Sequence, residues 1–171
     1  MPAYKAIAFT GPSGSGKTTL VEKIAQRLVS TRQVAIVKHD PGDKARFDQE
    51  GKDSDRFFKT GAEVAVVSDT RTTLFSHRYR AIETVAEMFG DFDLLMVEGL
   101  KTLPLPRLAI FRGSIELDYL PVVKAIAIDD SIDRRDYDLP THITVLDLND
   151  IESIIEWIDA HATTLKGEHR S

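Results

Sequence analysis

The pattern with the most definite chemistry lies near the amino terminus, where residues 11–18 read Gly-Pro-Ser-Gly-Ser-Gly-Lys-Thr. Glycines at this spacing let a loop wrap closely enough for successive backbone N–H groups to point at one anion. A lysine at the position of Lys17 can bridge the β- and γ-phosphates of a nucleotide, and a hydroxyl at the position of Thr18 can ligate Mg²⁺. The spacing G-x-x-x-x-G-K-[ST] therefore predicts a phosphate-binding loop, or P-loop.

The flanking residues favour this interpretation. An apolar run at residues 4–10 precedes the loop, and residues 17–29 carry apolar side chains at helical spacing. A helix that begins at the loop adds a partial positive charge and unpaired N–H donors, and Thr19 is placed to hydrogen-bond the α-phosphate. The alternative is a Gly/Ser-rich turn that matches by coincidence. We predict that a nucleoside triphosphate is bound by Gly11, Pro12, Ser13, Gly14, Ser15, Gly16, Lys17, Thr18 and Thr19.

A second candidate is the acidic residue Glu98. A P-loop protein needs a carboxylate at the end of a neighbouring buried strand to hold magnesium, and residues 93–98 read Asp-Leu-Leu-Met-Val-Glu. Ligands of α/β sheets lie at the carboxyl ends of the strands, so Glu98 is predicted to hold the metal together with Thr18. Asp93 begins the strand, roughly 16 Å away at about 3.3 Å per residue. The alternative for Glu98 is an ordinary carboxylate at a strand end.

The segment that begins at Lys38 supplies further charged candidates. Lys38 leaves an apolar run at residues 34–37 and could neutralise phosphate charge there; the alternative is a solvent-facing Lys-His pair. Together with Lys17 and Glu98 it forms the set of candidate catalytic residues. An irregular stretch follows at residues 39–52, and loops of that length are often functional. Four aspartates in or beside it are potential magnesium or water ligands, although most charged loop residues are solvated: Asp40, Asp43, Asp48 and Asp53. Asp48 is retained as a candidate nucleotide-binding residue.

Short β-rich runs alternate with helical periodicity along the chain. Strands are predicted at residues 4–10, 34–38, 64–68, 72–76, 94–98, 107–111, 124–128 and 144–148, and helices at 17–29, 81–89 and 150–161. Asn149 is the candidate N-cap of the last helix, with Glu152 three residues on as in a capping box. Nearly continuous apolar strands are typical of a sheet covered on both faces. We predict one domain over residues 1–171 with a P-loop NTPase-like α/β fold: a mostly parallel sheet, helices on both faces and an added β-hairpin at 64–76.

Composition limits the partners and the location. The 171 residues carry a formal net charge of −5, which argues against nucleic acid as a partner because a phosphate-tracking surface needs a basic excess. The chain has no cysteine, so disulfides and thiolate metal sites are excluded. No apolar run approaches the roughly 20 residues of a membrane helix, and the early first strand leaves no room for a signal peptide. We expect a cytoplasmic protein with no nucleic-acid partner and no membrane partner.

Together these motifs resemble the family of MobB, the molybdopterin-guanine dinucleotide biosynthesis adaptor proteins. Beside the P-loop, the segments that carry the resemblance are Ile-Val-Lys-His at 36–39, Asp-x-x-Gly-Lys-Asp-Ser at 48–54, Thr-Gly-Ala at 60–62, Val-Glu-Gly-Leu-Lys at 97–101 and Leu-Asp-Leu-Asn-Asp at 146–150. They follow in the order of the family. Many members have Lys-His-x-His-His where this chain reads Lys38-His39-Asp40-Pro41-Gly42, so no role of those extra histidines is carried over.

The resemblance implies a GTP-binding, dimeric, cytoplasmic protein that uses Mg²⁺ and hydrolyses GTP slowly at most. It implies a homodimer that works beside the guanylyltransferase MobA, which attaches GMP to molybdenum cofactor, with molybdopterin as a further candidate ligand. Such proteins support or deliver rather than perform the nucleotidyl transfer.

The residue that recognises the base is expected at the end of a strand. Guanine presents N1–H and N2–H₂ donors, which one carboxylate can accept together, and the sequence has no Asn-Lys-x-Asp. Asp129 ends the apolar run at residues 125–128 and is the candidate. The alternative is a turn formed by Asp129, Asp130 and Ser131.

Two other functions are consistent with the P-loop. The first is a small-molecule or nucleotide kinase, since residues 11–19 also resemble the loop of guanylate kinases; this needs arginines that clamp phosphate. The rest of that pattern is not recognisable, and the candidate arginines are Arg107, Arg112, Arg134 and Arg135. The second is a non-catalytic module whose surface changes with the bound nucleotide.

Overall fold

The structure is a computed structural model that describes residues 3–46 and 48–166. The elements in chain order are β1 (Ala3–Thr10), α1 (Lys17–Leu28), β2 (Val34–Lys38), α2 (Asp53–Phe58), β3 (Val64–Val67), β4 (Thr72–Phe75), α3 (Ile82–Met88), β5 (Leu94–Glu98), β6 (Arg107–Phe111), β7 (Ala125–Ile128), β8 (Thr144–Asp147), α4 (Ile151–His161) and β9 (Thr163–Lys166). Short 3₁₀ helices lie at Leu117–Val122 and Arg134–Asp136. The chain divides into two compact units. The first joins the residues up to His39 with those from Ala86 onward, and the second is Asp40–Val85.

The first unit is built on a seven-stranded sheet. Six of its strands follow one another in the order β2-β5-β1-β6-β7-β8, and the seventh, β9, lies off this path. All neighbours along this path are parallel, and β9 pairs antiparallel with the beginning of β1. Parallel strands run in the same direction and are joined by crossover connections, so their carboxyl ends meet at one edge of the sheet. The mostly parallel α/β architecture predicted from the sequence is thereby confirmed.

The core of this unit lies on both faces of the sheet because successive side chains of a strand point in opposite directions. On one face, Ile7, Phe9 and Met96 pack with apolar residues of α1 and α4, among them Ile24 and Ile158. The other face carries alternate residues of β6 and β7 packed against the segment that contains the first 3₁₀ helix: Ala109, Phe111, Ile126, Ile128 and Leu120. Burial on both faces explains why these strands read as continuous apolar runs.

The second unit contains α2 and the hairpin of β3 and β4. The hairpin is antiparallel, with Val64 opposite Phe75, and forms a two-stranded sheet of its own. The ring of Phe58 stacks on His77 with centroids 3.7 Å apart and lies 5.9 Å from the ring of Phe75. The predicted hairpin at residues 64–76 is therefore present.

Three local features differ from the sequence predictions. Helix α2 and strand β9 were not predicted. The N-cap of α4 is Asp150 and not Asn149, because the carboxylate of Asp150 accepts from the Ser153 N–H at 3.1 Å, whereas the Asn149 N–H donates to Asp147. The prediction of a single domain over residues 1–171 stays a prediction. Across residues 3–46 and 48–166, every helix is too short or too polar to cross a bilayer.

Candidate nucleotide-binding site

The loop between β1 and α1 has the backbone that a phosphate cradle needs. Gly11, Gly14 and Gly16 all have positive φ, at 135°, 77° and 95°. A Cβ on Gly11 would come within 2.4 Å of the Ile110 carbonyl oxygen, so only glycine fits where the loop crosses β6. Among the described residues no side chain caps α1, and its first turn has no acidic residue. Its first N–H groups are therefore left for a ligand.

Lys17 and Ser15 place polar groups inside this loop. The Lys17 Nζ donates to the Gly11 carbonyl at 2.9 Å and to the Pro12 carbonyl at 2.5 Å. Partial burial lowers the pKa of Lys17, Glu98 opposes that effect, and Lys101 lowers the pKa further. The Ser15 hydroxyl is buried and has no hydrogen-bond partner in the described part of the chain. The loop thus holds an ammonium group and an unpaired hydroxyl where an anion would be accommodated.

Thr18 and Glu98 meet beside the loop. The Thr18 Oγ1 donates to both carboxylate oxygens of Glu98, each at 3.2 Å. Strand register brings the carboxylate there, because Glu98 lies opposite Phe9 of β1 and Lys38 of β2. A hydroxyl and a carboxylate are both oxygen ligands of the kind that Mg²⁺ prefers, and Mg²⁺ commonly takes few protein ligands together with substrate phosphates. The pair fits a magnesium ion that is also held by a nucleotide. No larger cluster of His, Asp or Glu suited to a metal occurs among the described residues.

The turn after Glu98 is shaped by a buried arginine, Arg107, for which the sequence predicted only a phosphate-clamping role in a kinase. Arg107 is 1% exposed, and burial lowers its pKa. Its guanidinium donates to four backbone carbonyls at 3.0–3.2 Å, namely those of Gly99, Leu100, Lys101 and Leu103. Both Gly99 and Leu100 have positive φ, at 91° and 46°. Arg107 therefore stabilises an unusual turn that carries Lys101, a residue whose charge acts on Lys17.

Asp129 lies at the carboxyl end of β7, and both its oxygens are engaged within the protein. Oδ1 accepts the N–H of Ser131 at 3.2 Å and its hydroxyl, while Oδ2 lies 3.5 Å from Nε of Arg112. The hydroxyl bond from Ser131 lowers the pKa of Asp129, and Arg112 adds to this effect. The Gly113 N–H donates to the Ser131 hydroxyl at 2.8 Å, which ties the ends of β6 and β7 together. These contacts suit a turn-forming residue, and a base that uses this carboxylate would share Oδ2 with the charge of Arg112.

The remaining sequence candidates lie on different units. Lys38 ends β2 beside Glu98 and raises the positive charge near Lys17. Asp48 belongs to the second unit, where its Oδ1 accepts the Gln49 N–H at 2.8 Å and its buried Oδ2 has no partner among the described residues. The assignment of Asp48 to the nucleotide stays a prediction. Arg112 and Lys101 had no role in the predicted GTP site, although Lys101 stood in the Val-Glu-Gly-Leu-Lys motif.

A parallel sheet of this order, with a glycine-rich loop between the central strand and the first helix and a carboxylate on the adjacent strand end, defines a P-loop NTPase-like protein. Residues 6–129 match the sequence profile of the family described as MobB: Molybdopterin guanine dinucleotide synthesis protein B. The chain belongs to the MobB family, and the resemblance seen in its motifs is confirmed.

Relatives that match about nine tenths of the chain agree with this family, and a solved structure agrees with the fold. The molybdopterin-guanine dinucleotide biosynthesis adapter protein of Haemophilus influenzae is 32% identical over 164 residues, which cover 90% of this chain and 86% of that protein. The adapter protein of the same description from Escherichia coli is 29% identical over 166 residues, covering 89% and 92%. The crystal structure of Bacillus subtilis MobB superposes with a TM-score of 0.73 at 24% identity, covering 96% of this chain and all of that one.

Proposed function

We propose that this chain is an adapter in molybdopterin-guanine dinucleotide biosynthesis that binds GTP with Mg²⁺ at its P-loop. The observation that carries the proposal is the contact of Thr18 with Glu98 beside a loop already occupied by the Lys17 ammonium. A hydroxyl, a carboxylate and a lysine at these positions match the needs of a magnesium-bound triphosphate. Membership of the MobB family and the names of its relatives support the pathway.

Each residue of the loop has a defined role in this proposal. Lys17 exchanges the carbonyls of Gly11 and Pro12 for oxygens of the β- and γ-phosphates. The free backbone N–H groups of the loop after Pro12, which itself has none, would face the same anion, and Thr19 would take the α-phosphate. Thr18 and Glu98 would hold a magnesium ion, and that ion would neutralise phosphate charge. Lys38 adds a further positive charge from the end of β2.

Hydrolysis is expected to be slow. In the described structure the Glu98 carboxylate accepts the Thr18 hydroxyl through both oxygens, so it is committed to the metal side and is not free to orient a water molecule. The other charged groups that shift the pKa of Lys17 are cations, Lys101 and Lys38. Cations stabilise transferred phosphate charge but do not accept a proton from water. We therefore propose a weak GTPase whose candidate catalytic residues are Lys17, Lys38 and Glu98.

We propose that this chain acts together with a partner enzyme. Two of its relatives are named adapter proteins, which supports a role that assists another protein. We propose a cytoplasmic homodimer that acts with the guanylyltransferase MobA, with molybdopterin as a further ligand.

The kinase alternative has less support. Of its four candidate clamping arginines, Arg107 donates its hydrogen bonds to backbone carbonyls, and Arg135 is paired with Asp133 at 2.5 Å. The non-catalytic interaction module stays open as an alternative, and turnover separates it from the slow GTPase.

Two measurements test the proposal. In a competition titration with Mg²⁺, GTP should displace a bound fluorescent guanine nucleotide at far lower concentration than ATP. Multiple-turnover hydrolysis, measured for the chain alone and with MobA, should be slow but above that of a Lys17→Ala control. Equal displacement by GTP and ATP would contradict the guanine assignment. Turnover equal to the control in both settings would leave binding without hydrolysis, as in an interaction module.

A further inference from the structure

Arg112 is the first residue after β6, and its guanidinium lies against the P-loop. A Cβ placed on Gly16 would be 3.3 Å from the Arg112 Nε and 3.6 Å from both Cζ and Nη2 of the same guanidinium. The side chain also lines a small cavity of about 120 Å³ with residues of the loop and of the segment after β6: Pro12, Ser13, Gly14, Ser15, Ser114 and Glu116. The guanidinium thus lies next to the space that a side chain on Gly16 would fill, beside the loop that would surround the phosphates.

The donors of Arg112 are mostly unused. Its side chain is 50% exposed and makes one ion pair, with Asp129 at 3.5 Å. In the described part of the chain it makes no hydrogen bond, in contrast to Arg107, whose guanidinium donates to four carbonyls. A guanidinium has five N–H donors in a planar fork that matches phosphate oxygens. Of the arginines singled out in the sequence, Arg112 alone combines contact with the P-loop and free donors within the described residues.

The sheet order decides which part of a nucleotide Arg112 can reach. Strand β5 lies on one side of β1 and brings Glu98 to Thr18, which marks the metal side of the loop. Strand β6 lies on the other side of β1 and brings Arg112 to Gly16. A nucleotide held at the loop with its metal-bound phosphates toward β5 would have its nucleoside-side phosphates toward β6.

We infer that Arg112 is a nucleotide-binding residue outside the P-loop motif, one that contacts the nucleoside-side phosphates of a guanosine di- or triphosphate. The inference rests on the proposed function of the same site. Asp129 pairs with Arg112, and Glu116 lines the same small cavity as Arg112. Since both carboxylates repel an anion, the charge of Arg112 offsets that repulsion on this side of the loop.

The test is isothermal titration calorimetry of GTP and GDP with the wild type, Arg112→Met and Arg112→Lys. Charge-assisted hydrogen bonds to phosphate are strong, so Arg112→Met should weaken GTP and GDP alike, by about ten- to a hundredfold. Arg112→Lys should fall between, because it keeps the charge and loses the planar fork. The Mg²⁺ concentration for half-maximal GTP binding should not change.

The matched control is Arg27→Met. Arg27 lies in the last turn of α1, pairs with Glu152 and is 63% exposed, so this variant removes a comparable exposed ion pair at the end of α1 opposite the P-loop. Its affinities for GTP and GDP should equal those of the wild type. Thermal melts of all variants without nucleotide check the fold, and if Arg112→Met fails to melt cooperatively, Arg112→Lys carries the comparison.

Three outcomes would overturn the inference while leaving the proposed function intact. The first is wild-type affinity of Arg112→Met for both nucleotides, since Arg112 would then only pair with Asp129. The second is a loss confined to GTP, which would place the arginine at the terminal phosphate. The third is an equal loss in Arg27→Met, which would mean a general effect of net charge. Failure of the wild type to bind either nucleotide would instead overturn the proposed function together with this inference.

Discussion

At the scale of single residues, the charge of Lys17 should make the nucleotide affinity of the site depend on pH. Burial lowers its pKa in the ligand-free protein, whereas phosphate oxygens favour the charged form. The lysine is therefore charged below its ligand-free pKa and loses its proton as the pH rises through that value. We expect GTP affinity to fall across the alkaline range, with a limiting slope of about tenfold per pH unit.

Calorimetric titrations across the alkaline range measure this, with Lys17→Arg as the control because a guanidinium does not titrate there. The control should bind more weakly, since its geometry differs, but with an affinity that is flat across the same range. A wild-type affinity that is equally flat would show that the charge of Lys17 does not contribute.

A second prediction at this scale concerns Glu98. Glu98→Gln keeps the shape of the side chain and removes the charge that a hard dication prefers. We expect the magnesium concentration for half-maximal GTP binding to rise, with little change for metal-free nucleotide. Asp93→Asn, at the opposite end of β5, is the matched control because Asp93 accepts the Gln33 N–H at 2.8 Å and an amide oxygen can still accept it. Superimposed magnesium titrations of the wild type and Glu98→Gln would leave Glu98 as an ordinary carboxylate.

Asp129 is the residue for which two interpretations compete. If its carboxylate reads guanine, Asp129→Asn should selectively weaken GTP binding, because an N–H₂ group then faces donors on the base. The same variant should improve binding of xanthosine triphosphate, whose C2 carbonyl can accept from that amide. Unpaired buried polar groups discriminate strongly between such ligands.

Competition titrations with GTP, ATP and xanthosine triphosphate decide between the two. An equal loss for all three would mean that Asp129 shapes the turn with Ser131 and Arg112. Ser131→Ala is the companion variant, since it removes the hydroxyl bond to Asp129 and leaves the carboxylate in place.

At the scale of elements, the connection from β1 to α1 depends on how closely the loop passes β6. Gly11 and Gly14 both have positive φ, but a Cβ on Gly11 would lie 2.4 Å from the Ile110 carbonyl oxygen, whereas one on Gly14 has nothing within 4 Å. Gly14→Ala should lower the free energy of unfolding by about 1–2 kcal/mol through the left-handed backbone alone. Gly11→Ala should cost more, since backbone must also move.

Urea denaturation of the two variants gives this comparison directly. Each serves as the control for the other, because the substitution is the same and only the surroundings differ. Equal losses of stability would mean that the loop does not pass β6 at the distance described.

At the scale of the whole molecule, nucleotide binding and folding are linked. A ligand that binds only the folded protein stabilises it by about 2.7 kcal/mol at a hundred times its Kd. We expect GTP with Mg²⁺ to raise the free energy of unfolding by that amount at that concentration. ATP at the same concentration should raise it less, and Lys17→Ala should abolish the GTP effect while melting cooperatively without ligand.

Urea denaturation with and without each nucleotide measures this linkage, and it needs no assumption about turnover. Since the chain consists of two compact units, the transition should be followed by more than one probe. Unchanged stability in GTP with Mg²⁺ would contradict specific binding to the folded chain.

Much of the fold and part of the candidate site followed from local patterns in the sequence. The strands of the parallel sheet are covered on both faces, so each reads as an apolar run wherever it lies in the sheet. Strand β9 was missed because it is short, and what makes it a strand is its pairing with β1 at the other end of the chain. Helix α2 was missed because it has six residues and none is buried, which leaves no apolar periodicity to detect.

The sequence by itself determined that a P-loop joins a strand to a helix and that Glu98 ends an apolar strand, because glycine spacing and burial leave local signatures. The tertiary structure alone decided what those residues meet. The register of β1 with β5 brings Glu98 to Thr18, and the placement of β6 between β1 and β7 brings Arg112 to both Gly16 and Asp129. Strand order depends on long-range packing of the sheet, which no short segment of the chain encodes.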